Sequence, residues 1–155
     1  MTEAHAKQPA LHPMTEVVRG AIVGAPLASL LGMELVDVAD DVVTIRLPFR
    51  SEVTTIGDLV HGGAIAALVD VSATAAAWTR ADLLRFPRGT TIGFSLNFLQ
   101  GAVATDLVAT ARIIQRGRSV QVCEVDVRGA GGDAVARAMV TYKLDHKAEV
   151  RPTAS

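Results

Sequence analysis

Asp70 is the one charged residue between Gly62 and Trp78, in a run otherwise made of alanines, larger apolar residues and a few hydroxyls. A carboxylate in such surroundings carries a desolvation cost, so it needs hydrogen-bond donors or a pocket that uses its charge. The chemical uses are a base that deprotonates water, or a nucleophile that attacks a carbonyl and gives an anhydride. The structural use is a buried hydrogen bond to Thr74 or to a second chain. Just before this run stands His61-Gly62-Gly63. If these residues open a helix, the Gly62 and Gly63 N–H groups lack intrahelical partners and sit at the positive end of the helix dipole. Their missing β-carbons admit a ligand closely. Amides so placed stabilise negative charge developing on a carbonyl oxygen. A glycine-rich helix start used only for packing is the alternative; His61 and Asp70 together tip the choice toward chemistry. His61 is read as a positioning residue, bracing the loop or meeting a substrate through a ring nitrogen.

These residues need a helix to hold them, and the pattern supplies one. Ala64 to Trp78 contains no Gly or Pro and has no broad charged face, which predicts a helix buried around most of its circumference. Before it, Thr15 is placed to cap a short helix weakened by Gly20 and Gly24 and broken near Pro26, with another turn over Ala28 to Leu31 stopped by Gly32. Strands are expected over Met33 to Val38 and Val42 to Phe49, joined by Asp40-Asp41. After the helix, Thr91 to Leu99 alternates, with Ile92, Phe94, Leu96 and Phe98 opposing Thr91, Gly93, Ser95 and Asn97. Leu107 to Ile113, a strand from Val120, and Ala134 to Leu144 follow, with hairpin turns at Gln115–Arg118 and Arg128–Asp133. In the strand from Val120 the apolar positions shift to Val125 and Val127, so either both faces are covered or a bulge changes their phase. Tight hairpins favour an antiparallel α+β domain over a nucleotide-binding α/β fold. The central helix covers one sheet face, and apolar residues on both faces of several strands imply a partner on the second; an N-terminal arm covering it is the alternative.

The composition fits one domain: residues 1–13 as a loose leader, 14–146 as the folded unit and 147–155 as a frayed tail. Half the residues are apolar, which excludes wholesale disorder. With 15 basic and 16 acidic residues there is no broad field for nucleic acid or an anionic membrane. Cys123 is the only cysteine, so no internal disulfide forms, and the four histidines show no compact metal-ligand spacing. No stretch is long enough to span a membrane and no secretory core is seen, giving a cytoplasmic default with no metal and no cofactor called for.

Over approximately Leu30 through Leu144 the chain resembles the hotdog thioesterases, especially the small phenylacetate-pathway type and the related human medium- and long-chain acyl-CoA thioesterases. The resemblance is carried by Val60-His61-Gly62-Gly63-Ala64-Ile65-Ala66-Ala67-Leu68-Val69-Asp70 and by Thr91-Ile92-Gly93-Phe94-Ser95-Leu96-Asn97-Phe98-Leu99. It implies a hotdog fold, an antiparallel sheet wrapped around the central helix, and hydrolysis of acyl-CoA to a carboxylic acid and CoA. It further implies Asp70 as base or nucleophile, Gly62 and Gly63 as oxyanion donors, and Thr91 as the residue that positions Asp70 or the attacking water. Many relatives carry an asparagine shortly before the His-Gly-Gly segment; this chain has Thr54 or Thr55 in that area, and Thr55 supplies a hydroxyl rather than an amide. A non-catalytic acyl-CoA-binding protein and an enoyl-CoA hydratase or dehydratase of the same fold stay open as alternatives.

Eight residues separate Gly62 from Asp70, about 12 Å along one helix at 1.5 Å per residue. That is too far to serve one carbonyl, whereas an antiparallel helix from a second copy sets its Asp70 beside the first copy's Gly62. Two equivalent sites in a homodimer follow, as the resemblance also implies, with a homotetramer as the next step of assembly. Candidate contacts for the CoA phosphates are Arg116, Gly117 and Arg118 in one hairpin, and Arg80, Arg85 and Arg88 after the helix.

Overall fold

The computed structural model describes residues 11–85 and 87–145. An N-terminal arm consists of α1 (Thr15–Val17), which continues through a π-helical stretch Val18–Val23, and α2 (Pro26–Leu30). Thr15 is not the cap expected of it: Met14 holds that position and the threonine is buried in the first turn. The first helix ends at Val23 with Gly24 as its C-cap, the break expected near Pro26; Pro26 then starts α2 at its first turn, and Gly32, at φ 72°, ends it. His12, in the expected leader, meets Asp40 at 2.9 Å through Nε2, while its Nδ1 accepts from the Met14 N–H. The rest of the leader up to residue 10, and the tail 147–155, lie outside the described residues.

Strands β1 (Glu34–Ala39) and β2 (Val42–Leu47) turn through Asp40 and Asp41, the latter at φ 63°. The central helix α3 (Gly62–Trp78) is followed by β3 (Arg88–Phe98), β4 (Leu107–Arg116), β5 (Val120–Gly129) and β6 (Ala134–Asp145). They form one antiparallel sheet in the order β1-β2-β4-β5-β6-β3. The sheet wraps α3, and Val43, Ile45 and Leu47 from β2 bury against it with Ala109, Ala111, Val125, Val127 and Val140. This is the α+β hotdog architecture. Alanines at 73, 75 and 76 are fully buried, so α3 lies close against the sheet.

The second face of the sheet differs from expectation. Thr44, Thr110, Asp126, Arg137 and Asn97 form one cross-strand row on it, and Arg112, Glu124, Met139 and Ser95 lie in the next. It is polar, with Arg137 against Asp126, and the arm does not cover it; the arm packs on α3 and β1. Strand β5 also keeps one phase throughout: Gln121, Cys123, Val125 and Val127 all point inward. The irregularities sit in its neighbours, at Ile114 in β4 and Val135 in β6.

Candidate functional site

The start of α3 is shaped by an unusual cap. His61 is extended at φ −68° and ψ 133°, and its Nδ1 accepts the Gly63 N–H at 2.7 Å. A backbone N–H can only donate, so Nδ1 carries a lone pair and the neutral ring bears its proton on Nε2. The Gly63 amide is therefore engaged and is not the open oxyanion donor expected of it. Gly62 N–H has no hydrogen-bond partner among the described residues. Both glycines also have packing reasons. A β-carbon on Gly63 would stand 2.9 Å from His61 Nδ1, and one on Gly62 would stand 3.2 Å from Phe98 Cζ.

The cap makes a stability prediction. His61→Ala removes the acceptor and is expected to cost about 1 kcal/mol, whereas His61→Asn offers a new side-chain acceptor and should recover most of it. Urea unfolding of the two variants checks this; equal losses would mean that the ring stabilises through something other than the cap.

Asp70, half-buried in the middle of α3, accepts a hydrogen bond from Thr91 Oγ1 at 2.6 Å. Its Oδ2 makes no hydrogen bond among the described residues. The donor is thus Thr91 on β3 and not Thr74 on its own helix. The contact depends on a bulge that strict alternation conceals. Thr91 pairs with Tyr142 and Gly93 with Thr141, leaving Ile92 as the extra residue. Tyr142 is buried, so Thr91 points toward α3 together with Phe94, Leu96 and Phe98, not opposite to them.

One and two turns beyond Asp70 stand Thr74 and Trp78. Trp78 Nε1 donates to Tyr142 Oη at 2.8 Å. Burial raises the Tyr142 pKa and the nearby Asp70 charge adds to this, while hydrogen bonds from Trp78 and Thr74 oppose it. Tyr142 therefore stays protonated. Strand β3 closes on this pair at Gly89, where a β-carbon would lie 2.1 Å from Tyr142 Oη. Strand β3 consequently runs down the whole exposed stripe of α3: Gly89 by Trp78, Thr91 by Asp70, Phe98 by Gly62. It is an edge strand, and Ile92 and Phe98 are 58% and 55% exposed.

The other expected site residues are scattered. Thr55 is exposed in a loop where its N–H donates to the Leu59 carbonyl, and among the described residues its side chain makes no hydrogen bond to a site residue. Arg116 is committed elsewhere: it pairs with Asp41 at 2.7 Å and donates to the Ala76 and Ala77 carbonyls, closing the C-terminus of α3. Gly117 donates its N–H to Val120 O to shape the hairpin. Arg80 bridges Asp40 and Asp41, each at 3.2 Å, and Arg85 lies 3.7 Å from Asp82. Arg88 and Arg118 are exposed without an ion pair among the described residues. Ser119 O accepts from Leu144 N, and Leu144 pairs with Gly89, so both arginines open from the same end of the sheet. Sequence reasoning missed Trp78, Tyr142, Gly89 and the role of Phe98; an unusual glycine beside a Trp–Tyr contact becomes visible only once β3 and β6 are paired.

Cys123 is buried, which pushes its thiol up to about 12 and keeps it from acting as a thiolate nucleophile. Among the described residues no group of three His, Cys, Asp or Glu side chains is placed to hold a metal ion. No described helix is long and apolar enough to cross a membrane. A cavity of about 500 Å³ lies on the polar face of the sheet and is lined by none of the candidate residues.

An open helix-start amide and an oriented carboxylate suit attack on a carbonyl carbon. The sequence profile of the thioesterase superfamily matches residues 57–136, just over half of the chain, and spans both elements. The chain belongs to the thioesterase superfamily. A general thioesterase-type hydrolase activity goes with that membership. A provisionally named esterase of Halobacterium salinarum is 30% identical over 104 residues, covering 65% of this chain and 68% of that protein. One from Saccharolobus solfataricus is 24% identical over 114 residues, 74% and 79% of the two chains. Among solved structures, a mutant thioesterase of Pseudomonas aeruginosa superposes with a TM-score of 0.76 at 23% identity, covering 90% of this chain and 96% of its own. The PaaI protein of the E. coli phenylacetic acid degradation operon superposes at 0.76 with 15% identity, covering 86% and 95%. These two superpositions support the hotdog fold of this superfamily member.

Proposed function

We propose that this chain hydrolyses acyl-CoA thioesters at two sites shared across a homodimer. The observation that carries the reading is Asp70, with one oxygen oriented by Thr91 and the other open, on a helix whose first amide is unpartnered. Asp70 deprotonates water, or attacks the carbonyl itself to give an anhydride that water then opens. The Gly62 N–H of the second copy hydrogen-bonds the oxyanion, whose collapse breaks the C–S bond and releases the CoA thiolate, which takes up the proton that water loses. Thr91 is a positioning residue that fixes the carboxylate. His61 places Gly62 through its cap, with its Nε2–H free to point toward the substrate. Gly63 contributes by letting the imidazole fold back.

A second copy is supported by the edge strand β3, whose backbone and apolar side chains are open, and by the distance between Gly62 and Asp70. The antiparallel arrangement brings the loop carrying Thr55 and Asp58 alongside the partner's helix beyond Asp70. This is where a threonine hydroxyl takes over part of the polar role of the usual asparagine. A homotetramer would be formed by two such dimers. Of the six proposed CoA contacts, Arg88 and Arg118 are put forward first; Arg116 and Gly117 serve the fold, and Arg80 and Arg85 are held in exposed ion pairs. A cytoplasmic setting suits such a substrate.

Release of free thiol from acyl-CoA by the purified protein is the direct test. Tight binding without turnover would favour a binder, the reading that Thr55 in place of asparagine keeps alive, and hydration of an enoyl-CoA without thiol release would favour a hydratase. In the same assay, Arg88→Gln or Arg118→Gln should raise KM for acyl-CoA and leave a short pantetheine thioester unaffected, because only the first has the phosphates. Equal effects on both substrates would remove these arginines from the ligand path.

A further inference from the structure

Asp70 divides the exposed stripe of α3 into two halves of different chemistry. Toward Gly62 the stripe and its facing strand present Ala66, Phe94 and Phe98. Phe94 pairs with buried Val140, so it stands on the helix side of the sheet while 42% exposed. Toward the C-terminus the stripe presents Thr74 and Trp78, backed by the Tyr142 hydroxyl, and ends at the sheet end from which Arg88 and Arg118 open. One half is apolar; the other presents the Thr74 side chain and an indole beside the Trp78–Tyr142 hydrogen bond, and then positive charge.

An acyl-CoA has the same asymmetry about its thioester. The acyl arm is apolar, and the pantetheine arm carries amides and ends in phosphates. We propose that the acyl arm runs from Asp70 toward Ala66 and Phe94, with the pantetheine arm leaving over Thr74 and Trp78, so that Ala66 and Phe94 determine acyl specificity. This rests on the shared-site reading above and adds a direction and a size limit to it. If Asp70 lies beside the partner's Gly62 in an antiparallel pair, Ala66 faces its own counterpart midway between the two sites. Each acyl arm then has about 6 Å of helix before it meets the arm from the other site, half the roughly 12 Å between Gly62 and Asp70. The substrate class is therefore a compact acyl group and not a long chain.

The test uses non-hydrolysable S-alkyl-CoA thioethers, so that binding is read separately from turnover. Wild-type protein is expected to bind S-butyl-CoA more tightly than S-decyl-CoA. Phe94→Ala should raise the decyl-to-butyl affinity ratio roughly tenfold or more, and Ala66→Leu should lower it, the range expected when a pocket gains or loses a few carbon atoms. Trp78→Ala should weaken both thioethers equally and leave the ratio unchanged. Phe94→Leu stands in if Phe94→Ala fails to fold or dimerise. A ratio that ignores Phe94 and Ala66, a ratio that follows Trp78, or no binding of any thioether would overturn the proposal. Absent hydrolysis together with the expected ratios would remove the catalytic reading and leave the orientation standing.

Discussion

An Asp70→Asn chain is expected to hydrolyse acyl-CoA roughly 10²–10⁴-fold more slowly than wild type, the usual scale for losing general acid–base assistance. The substitution keeps side-chain size and an oxygen that still accepts from Thr91 Oγ1, so the local geometry is preserved. It removes the negative charge and nearly all basicity. Substrate binding should survive, because the Gly62 amide and the arginines at the far end of the sheet are untouched. The drop should therefore fall on kcat, with KM little changed. Oligomeric state and thermal midpoint belong beside the kinetics. Folded, dimeric and fully active Asp70→Asn protein would sink both the base and the nucleophile mechanisms.

The central helix was legible because its one charge stands out. A carboxylate among alanines demands a partner, and that demand holds whatever the tertiary structure turns out to be. Which partner answers it was not legible from alternation. Counting by twos places Thr91 opposite Phe94 and Phe98, on the face away from Asp70, and only the family resemblance linked the two residues. The bulge at Ile92 reconciles them by slipping the register one residue ahead of Gly93. Nothing in the residue types around Ile92 announces that slip.

The arginines illustrate a different limit. Five of them were equal candidates on sequence, since each sits near the end of a helix or in a hairpin. Folding sorts them by what the backbone leaves unsatisfied. The last carbonyls of α3 need donors, Arg116 comes from β4 to supply them, and the Asp40-Asp41 turn holds Arg80 and Arg116 together. The apolar second sheet face was misjudged for a related reason. Val120 and Val122 do point away from α3, but the rows beyond them are filled by Asp126, Arg137, Arg112 and Glu124. Val120 and Met139 are exposed on that face, but among charged neighbours, whereas Ile92, Phe94 and Phe98 are all exposed along the one edge strand β3, and this moves the expected partner contact from the sheet face to the strand edge.

The two-chain site predicts recovery of activity from two inactive parents. Gly62→Val puts a branched side chain where even an added β-carbon would stand 3.2 Å from Phe98 Cζ, displacing the ring and crowding the amide proposed to bind the oxyanion. A Gly62→Val homodimer therefore has both sites damaged on the amide side, and an Asp70→Asn homodimer has both damaged on the carboxylate side. After subunit exchange, a mixed dimer holds one site with both defects and one with neither, because the intact Asp70 of one chain meets the intact Gly62 of the other. At equal mixing half of the dimers are mixed, each with one working site, so activity should return to about a quarter of the wild-type value per site, starting from parents roughly 10²-fold or more below it. Light scattering before and after exchange checks that the dimers persist. A stable monomer, or a mixture no more active than its parents after exchange is demonstrated, would place Gly62 and Asp70 in separate functions and end the shared-site mechanism.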